Sequence, residues 1–413
     1  MKKTLSLLLV MTLFMAGCSR SEDNDLYTST DSIEDKNSHI SADLIESSAR
    51  TDFEFLVTSD EYENMDWSNA SLSMPNGIGE ICDIRVEQPD KIYSNNKEFL
   101  DYFDNVSNHL FSGSESFKNK DNFRFDSNPG ILNAGLYDNG NLDRIKSGNI
   151  KISCLVFDTG WDLGKENDGK LLECTANGSY IKINRGNCLS KVKRQTSNSG
   201  WFPQDSFSVK SSFSVFGLEN VELEDKEMPI SDAAAYCEKY LNEAPFLTHD
   251  KIKISSGRIL QINDSTEGVL FYPTTTYNGI PFDSIHFEGS ASDFSDGNEY
   301  LFTSSQALMV KSDEVEFCFL NDINRKITPI EKKAQSIVSL KRAADIVSKN
   351  MSSNINIEVL GTSLVYCVKQ GLNGESDTAA VHWKFELFNP NDDWTYVAYV
   401  NVQDESFFYF KHV

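Results

Sequence analysis

Apolar residues between positions 51 and 225 mostly alternate with polar ones, which predicts strands that each bury one face. The clearest run contains four apolar residues of one parity, namely Ile150, Ile152, Cys154 and Val156. In a second run, over residues 207–215, four apolar residues again share one parity: Phe207, Val209, Phe213 and Val215. Asn-Gly turn sequences are frequent between such runs. We therefore predict a β-rich domain over residues 51–225.

One stretch of this region has helical periodicity instead. Its apolar residues lie four, three and four positions apart, on one face of a helix: Phe99, Phe103, Val106 and Leu110. Asn95 or Asn96 can form the N-cap, because an Asn side chain accepts hydrogen bonds from the first free backbone N–H groups. We predict a single helix packed on the β-rich domain.

The same order of elements is predicted twice in the remaining chain. The helical segments Ile230–Leu241 and Leu340–Met351 align, with Ala-Ala at positions 233–234 opposite Ala-Ala at 343–344. Each segment is followed by three apolar runs that we predict to be strands, over residues 251–262, 268–277 and 307–320 in the first copy and 355–368, 380–387 and 395–410 in the second. A helix that covers one face of an antiparallel sheet is an α+β unit. We predict a first unit over residues 226–328 and a second over 329–413, and expect a fragment of residues 227–413 to fold alone.

At the N-terminus, two lysines precede an apolar run over residues 4–16 that is too short to span a bilayer as a helix. The run leads into Met15-Ala16-Gly17-Cys18, which resembles the lipobox of bacterial lipoproteins. The resemblance implies that residues 1–18 contain a signal peptide and that Cys18 is the lipidation site. We expect the protein in the cell envelope, lipid-anchored on the extracytoplasmic side of a bacterial membrane.

Residues 19–50 are rich in Ser, Asp, Glu, Asn and Thr, which predicts a disordered acidic tether. Across the chain, 62 acidic residues outnumber 38 basic ones and give a formal net charge of −24. Nucleic acid is therefore not expected as a partner, because phosphate binding requires clustered Lys and Arg. The expected partners are the membrane, through the N-terminal lipid, and another envelope protein.

No metal or other cofactor is predicted. Seven cysteines follow Cys18 without forming a C-x-x-C pair, which argues against a zinc ribbon. Three of them lie in apolar runs and are predicted to be buried thiols: Cys154, Cys318 and Cys367. The acidic turns, Asp138–Asp143 and the turn containing Asp293, Asp296 and Gly297, are predicted to be solvated rather than calcium-binding, since neither matches an EF-hand loop.

Residues 155–160, Leu-Val-Phe-Asp-Thr-Gly, are similar to the catalytic loop of aspartic proteases. Those enzymes need two such loops because two carboxylates share one proton, and this chain has one. A strand ending in a turn is predicted instead. No G-x-S-x-G or H-E-x-x-H pattern occurs, and His382 is predicted to be a packed strand residue. We predict no catalytic residue and no enzymatic activity.

Two Gly-flanked loops contain aromatic residues that the predicted cores do not require. These residues are Trp161, Trp201 and Phe202. An exposed Trp offers a flat apolar face for a sugar ring or a partner's side chain, so the three are candidate binding residues. Packing of both loops against their own domain is the alternative.

The second unit resembles a PepSY-type unit in the helix Leu340–Met351, in Trp383–Leu387 and in Tyr396–Ser406. Two such units on an extracytoplasmic chain are similar to the YycI and YycH accessory proteins of Gram-positive bacteria, although those have a transmembrane anchor. That resemblance implies binding or restraint of a partner protein, without catalytic residues.

These observations lead to two hypotheses. The first is a non-enzymatic surface lipoprotein that binds or regulates another extracytoplasmic protein through its tandem units. The alternative is a surface lipoprotein that binds a glycan or peptide ligand through the aromatic loops of the β-rich domain. A groove of exposed aromatic residues would favour the alternative, whereas an apolar patch or open sheet edge on the tandem units would favour partner binding.

Overall fold

The computed structural model describes residues 26–28, 42–59, 61–62, 64–75, 77–87, 95–111, 123–126, 135–136, 154–158, 170–176, 180–185, 208–213, 220–243, 251–284, 294–302, 305–321, 325–333, 336–351, 356–372 and 375–412. Within them the chain is mixed α+β, as predicted. The helices are α1 (Ala42–Thr58), α2 (Asn96–Phe111), α3 (Ile230–Glu243) and α4 (Leu340–Asn350). The strands are β1 (Leu26–Thr28), β2 (Met65–Asp66), β3 (Ser71–Ser73), β4 (Cys82–Glu87), β5 (Phe123–Asp126), β6 (Gly135–Leu136), β7 (Cys154–Asp158), β8 (Leu171–Thr175), β9 (Tyr180–Asn184), β10 (Ser208–Phe213), β11 (Asn220–Glu222), β12 (Glu227–Pro229), β13 (Ile252–Asn263), β14 (Thr266–Tyr277), β15 (Ile280–Pro281), β16 (Tyr300–Leu301), β17 (Gln306–Lys311), β18 (Glu314–Asn321), β19 (Lys326–Lys333), β20 (Ser336–Val338), β21 (Ile357–Lys369), β22 (Asp377–Asn389), β23 (Trp394–Asn401) and β24 (Phe407–His412).

The first large sheet has the strand order β10-β13-β14-β17-β18-β9-β8-β7-β5-β6, and β15 pairs with β14. Neighbouring strands in it are antiparallel. The helices α2 and α3 cover one face, and Phe99 and Phe103 of α2 share a core there with Ala233 of α3. The opposite face carries a smaller apolar cluster that includes Leu270, Leu308 and Phe317.

The second large sheet has the central order β16-β21-β22-β23-β24. Strands β2 and β3 run parallel to β21, and β4 pairs with both β19 and β22. The helices α1 and α4 cover one face, where Ile45 of α1, Ala343 of α4 and Trp383 of β22 are buried in a common core. The described residues of 42–87 and 326–412, together with β16, therefore build this sheet and its helices.

The chain runs through the same order of elements twice. The helix α3 is followed by the neighbouring strands β13, β14, β17 and β18, and α4 by β21, β22, β23 and β24. The two helical segments also bury residues at matching positions, namely Ile230 with Leu340, Ala233 with Ala343, Ala234 with Ala344, Cys237 with Val347 and Leu241 with Met351, the residue after α4. Each helix therefore has one buried face, which packs on the core of its own sheet.

Several local predictions are confirmed. The helix α2 buries Phe99, Phe103, Val106 and Leu110, and the Asn95 side chain accepts a hydrogen bond from the Glu98 N–H at 3.0 Å. The side chains of Cys154, Cys318 and Cys367 are buried.

In the described part of the chain, no helix is long and apolar enough to cross a membrane.

The predicted tether over residues 19–50 is too long. Residues 26–28 form β1, which pairs with β20, and residues 42–50 form the first half of α1. Ile45 and Ala49 are fully buried in the core beneath the second sheet. They are four positions apart, so even this polar stretch can pack one face of a helix on that core.

The predicted domain boundaries near residues 225 and 328 do not coincide with the sheets. Strand β9 of the predicted β-rich domain pairs with β18 along Phe317–Asn321, so the sheet continues across the boundary near 225. Strand β4, from the same predicted domain, pairs with β22 in the other sheet. The residues 51–225 therefore contribute to both sheets, because strand partners are chosen by long-range packing that local periodicity does not encode.

Candidate functional site

The residues predicted from the sequence to form sites lie outside the described residues. This applies to the lipidation site Cys18 and to the binding candidates Trp161, Trp201 and Phe202. The acidic turn over residues 138–143 also lies outside them. In the second acidic turn, Asp296 accepts hydrogen bonds from the Asn298 N–H and the Tyr300 hydroxyl.

The protease-like segment is a buried strand where it is described. Leu155 and Phe157 of β7 are fully buried in the first core, and Asp158 is the last residue of the strand, opposite Leu171 of β8. Thr159 and Gly160 lie outside the described residues. Among the residues that the structure describes, no group of three or more His, Cys, Asp or Glu could hold a metal ion.

His382 is a packed strand residue, as predicted. Its side chain is buried, and the ring Nδ1 lies 2.9 Å from the Ala380 carbonyl oxygen. The ring contacts Tyr399 and Phe408 edge-on. Burial lowers the pKa of His382 to about 4, so the ring is neutral at physiological pH.

A polar cluster is buried on the face of the second sheet that points away from α1 and α4. Lys384 Nζ lies 3.0 Å from Asp283 Oδ1 and 3.0 Å from Glu386 Oε1. The Tyr399 hydroxyl donates to Asp283 Oδ2 at 2.5 Å, and the Ser284 N–H donates to Oδ1 at 2.9 Å. We call Asp283, Lys384, Glu386 and Tyr399 the buried polar cluster.

Strand register brings this cluster together. Lys384 and Glu386 are two residues apart in β22 and therefore share a face, and Tyr399 of β23 is directly opposite Lys384. Asp283 follows the short connection after β15, where Phe282 forms a parallel bridge to Tyr366 of β21. The Asp283 N–H donates to the Tyr366 carbonyl at 2.9 Å, which fixes the carboxylate over the sheet.

Aromatic rings surround the cluster. The apolar residues on this face are Phe294, Tyr300, Phe302, Val365, Cys367, Val397, Tyr399, Phe408 and Phe410. The side chains of Lys384 and Asp283 are only 7% and 3% exposed. Burial alone lowers the pKa of Lys384, but the nearby Asp283 and Glu386 carboxylates outweigh it and raise that pKa. The cluster is therefore a desolvated ion pair with a second carboxylate beside it.

A second candidate lies on the other face, next to α4. Four aromatic side chains of β23 and β24 remain partly exposed there, and we call them the aromatic surface: Trp394, Tyr396, Phe407 and Tyr409. Lys411 Nζ lies 3.3 Å from the centroid of the Trp394 ring, and the Tyr396 hydroxyl donates to Asp392 at 2.8 Å. The aromatic surface extends along β23 and β24, from the turn before β23 to the turn that joins the two strands.

Strand β24 pairs with β23 on one side, and no other described strand pairs with it. The backbone of Tyr409 points to its open side, where its carbonyl accepts from the Ser295 N–H and its N–H donates to Ser295 Oγ, both at 2.9 Å. Strand β24, which carries Phe407 and Tyr409 of the aromatic surface, is therefore a sheet edge that Ser295 covers at its centre.

Comparisons with known proteins provide no function. No family model and no curated protein matches the chain. Among solved structures, a crystal structure of an uncharacterized protein from Eubacterium rectale ATCC 33656 is similar, with 11% sequence identity and a TM-score of 0.43. The match covers 86% of this chain and 92% of that one. The function is therefore argued from the residues themselves.

Reasoning from the sequence missed both of these sites. The alternation of Phe407, Tyr409 and Lys411 with Phe408 and Phe410 is visible in the sequence, and it indicates a strand with aromatic residues on both faces. That pattern could have identified the aromatic surface. Nothing local connects Asp283 with Lys384, because 101 positions separate them.

Proposed function

We propose that this chain is a non-enzymatic, lipid-anchored extracytoplasmic protein that binds another envelope protein through the aromatic surface of its second PepSY-like unit. The main observation in support is a row of partly exposed aromatic residues at a sheet edge, namely Trp394, Tyr396, Phe407 and Tyr409. The repeated order of one helix and four neighbouring strands, with matching buried positions, supports the assignment of tandem units.

Aromatic side chains in this arrangement suit protein recognition. Tyr and Trp are enriched where proteins bind one another, because they bury a large apolar area while the polar end of the side chain keeps a hydrogen bond. Tyr396 has this character, since its hydroxyl is held by Asp392 while its ring packs beside Tyr409. Seven residues of an extended strand span about 20 Å, which is long enough for a peptide segment.

The charges at both ends of the aromatic surface indicate the chemistry of the partner. Asp393 in one adjoining turn and Asp404 in the other are exposed. Lys411, the basic residue of the surface, is already placed over Trp394. A partner segment with an apolar centre and Lys or Arg at both ends fits this distribution, and the net charge of −24 favours its approach.

Photo-crosslinking in cells tests the proposal. A photoreactive residue in place of Tyr409 should yield a specific adduct with one envelope protein. Leu372 provides the matched control, because it is 63% exposed and apolar but lies in the turn between β21 and β22. The same residue at position 372 should yield no such adduct.

Substitution provides the second arm of the experiment. Phe407→Ser together with Trp394→Ser should abolish the adduct formed from position 409, while the protein remains folded and membrane-associated. If the adduct at 409 is absent, or if position 372 captures the same protein equally well, the aromatic surface is not the binding site. Capture of glycan instead of protein would favour the ligand-binding alternative.

A further inference from the structure

We propose that Lys384 and Asp283 condense to form an intramolecular isopeptide bond that links the connection after β15 to β22, with Glu386 as the proton carrier. This inference is independent of the proposed binding function. It rests on the buried polar cluster, where an amine, a carboxyl group and a second carboxylate meet in an aromatic enclosure.

The reacting groups are already in contact. Lys384 Nζ is 3.0 Å from Asp283 Oδ1, so the carboxyl carbon bonded to that oxygen is at most one C–O bond length further away. Both side chains are held by strand register and by the backbone hydrogen bond from Asp283 to Tyr366. Fixing two reactants at this separation replaces a bimolecular encounter by an effectively unimolecular step, which provides a large part of the rate.

The reactive protonation states are one proton transfer away from the ion pair. The two carboxylates favour the ammonium form of Lys384, so the neutral pair is the minor form from which the reaction proceeds. Transfer of one proton from Lys384 Nζ to Asp283 Oδ1, along their hydrogen bond, gives a neutral amine and a neutral acid. Those two neutral groups are the nucleophile and the electrophile that amide formation requires.

The remaining steps use groups of the cluster. The neutral amine attacks the carboxyl carbon of Asp283, and the Tyr399 hydroxyl on Oδ2 stabilises the negative charge that develops on that oxygen. Glu386 accepts a second proton from Lys384 Nζ and returns it to the departing Oδ1 hydroxyl. The C–O bond breaks and one water leaves. The amide nitrogen keeps one of the three ammonium protons, so the atoms balance without an oxidant or a cofactor.

Glu386 distinguishes this cluster from a structural ion pair. Asp283 and Lys384 neutralise each other, so an additional carboxylate at 3.0 Å from the same amine is not needed for charge balance. Its side chain is 16% exposed, which leaves a route for the released water. A carboxylate that contacts the amine and is partly solvated is well placed to move a proton between nitrogen and oxygen.

Mass spectrometry of the full-length protein after denaturation and trypsin digestion tests the inference. An isopeptide bond blocks cleavage after Lys384. It should therefore join residues 259–311 to residues 370–411 in one species that is lighter than the two peptides by one water molecule. Recovery of unlinked peptides ending at Lys384, together with the linear 259–311 peptide in full yield, would overturn the proposal.

Three variants complete the experiment. Glu386→Gln keeps the size of the side chain but removes the proton acceptor, so the folded protein should give only linear peptides. Lys384→Arg should do the same because a guanidinium does not act as the nucleophile. Lys182→Arg alters another buried lysine, in β9, and should leave the linked species unchanged. An intact link in Glu386→Gln would remove Glu386 from the mechanism, and a link in Lys384→Arg would refute the assignment altogether.

Discussion

Glu316→Gln provides a direct test of the electrostatics of the first sheet. Glu316 lies in β18 between Val315 and Phe317, which are buried on opposite faces, and the register shifts at this point. It is the extra residue of a β-bulge and is only 2% exposed. Its Oε2 atom is buried, and no described residue forms a hydrogen bond with it. Burial raises the pKa of Glu316 to about 7, although the nearby Arg185 lowers it in part.

The size and the sign of the effect follow from proton linkage. The carboxyl pKa is about 7 in the folded protein and near its ordinary 4.5 in the unfolded chain. As pH rises, the unfolded chain releases this proton first, so the free energy of unfolding falls between those two values. A difference of about 2.5 pH units at about 1.4 kcal/mol each amounts to roughly 3–4 kcal/mol above neutral pH.

Urea unfolding near pH 5 and near pH 8 measures this contribution. Glutamine resembles the protonated acid, so Glu316→Gln should differ from the wild type by about 1 kcal/mol or less near pH 5 and be about 2–3 kcal/mol more stable near pH 8. The control is Glu314→Gln, two residues away, because Glu314 is 25% exposed and pairs with Arg185 at 3.4 Å. It should show no such gain. Equal effects of Glu316→Gln at both pH values would refute the buried-carboxylate argument.

Three further predictions concern the anchor, the units and the buried His382. Cys18→Ala should release the protein from the membrane fraction or leave it unprocessed, and retention of lipid label would contradict the proposed anchor. A fragment of residues 227–413 should fail to unfold cooperatively on heating, since it lacks α1, β4 and β9, contrary to the expectation from the sequence. The pKa of His382 falls from 6.5 to about 4 on folding. The free energy of unfolding should therefore drop by about 3 kcal/mol as the pH decreases from 6.5 to 4. The variant His382→Phe should not show this drop when it is unfolded by urea across the same pH range.

Elements whose apolar spacing is regular were predictable from the sequence. The helices α2, α3 and α4 were expected within a few residues of their observed ends, because each presents its apolar residues on one face. The strands β13, β14, β21 and β22 were also expected. The run expected as one strand over residues 395–410 is a hairpin instead, since residues 402–404 form a turn.

Elements that depend on distant partners were not predictable. The N-terminus of α4 is stabilised by Asp52, whose Oδ2 accepts a hydrogen bond from the Lys341 N–H across 289 positions at 3.1 Å. The Tyr62 hydroxyl adds a second hydrogen bond to α4, which it donates to the Asp345 carboxylate at 2.8 Å. No local pattern around residue 52 indicates that it belongs to a helix near residue 340, so α1 was assigned to the tether and to a different domain.

The same long-range packing changes how the proposed anchor would position the binding surface. Strand β1 pairs with β20, and α1 packs on α4, so the N-terminal segment is attached to the second α+β layer. Eight extended residues between Cys18 and Leu26 span at most about 27 Å. A lipid on Cys18 would therefore hold this layer, with its aromatic surface on β23 and β24, close to the membrane. This placement agrees with the proposed function, because a partner at or near the bilayer surface would then meet Trp394 and Tyr409.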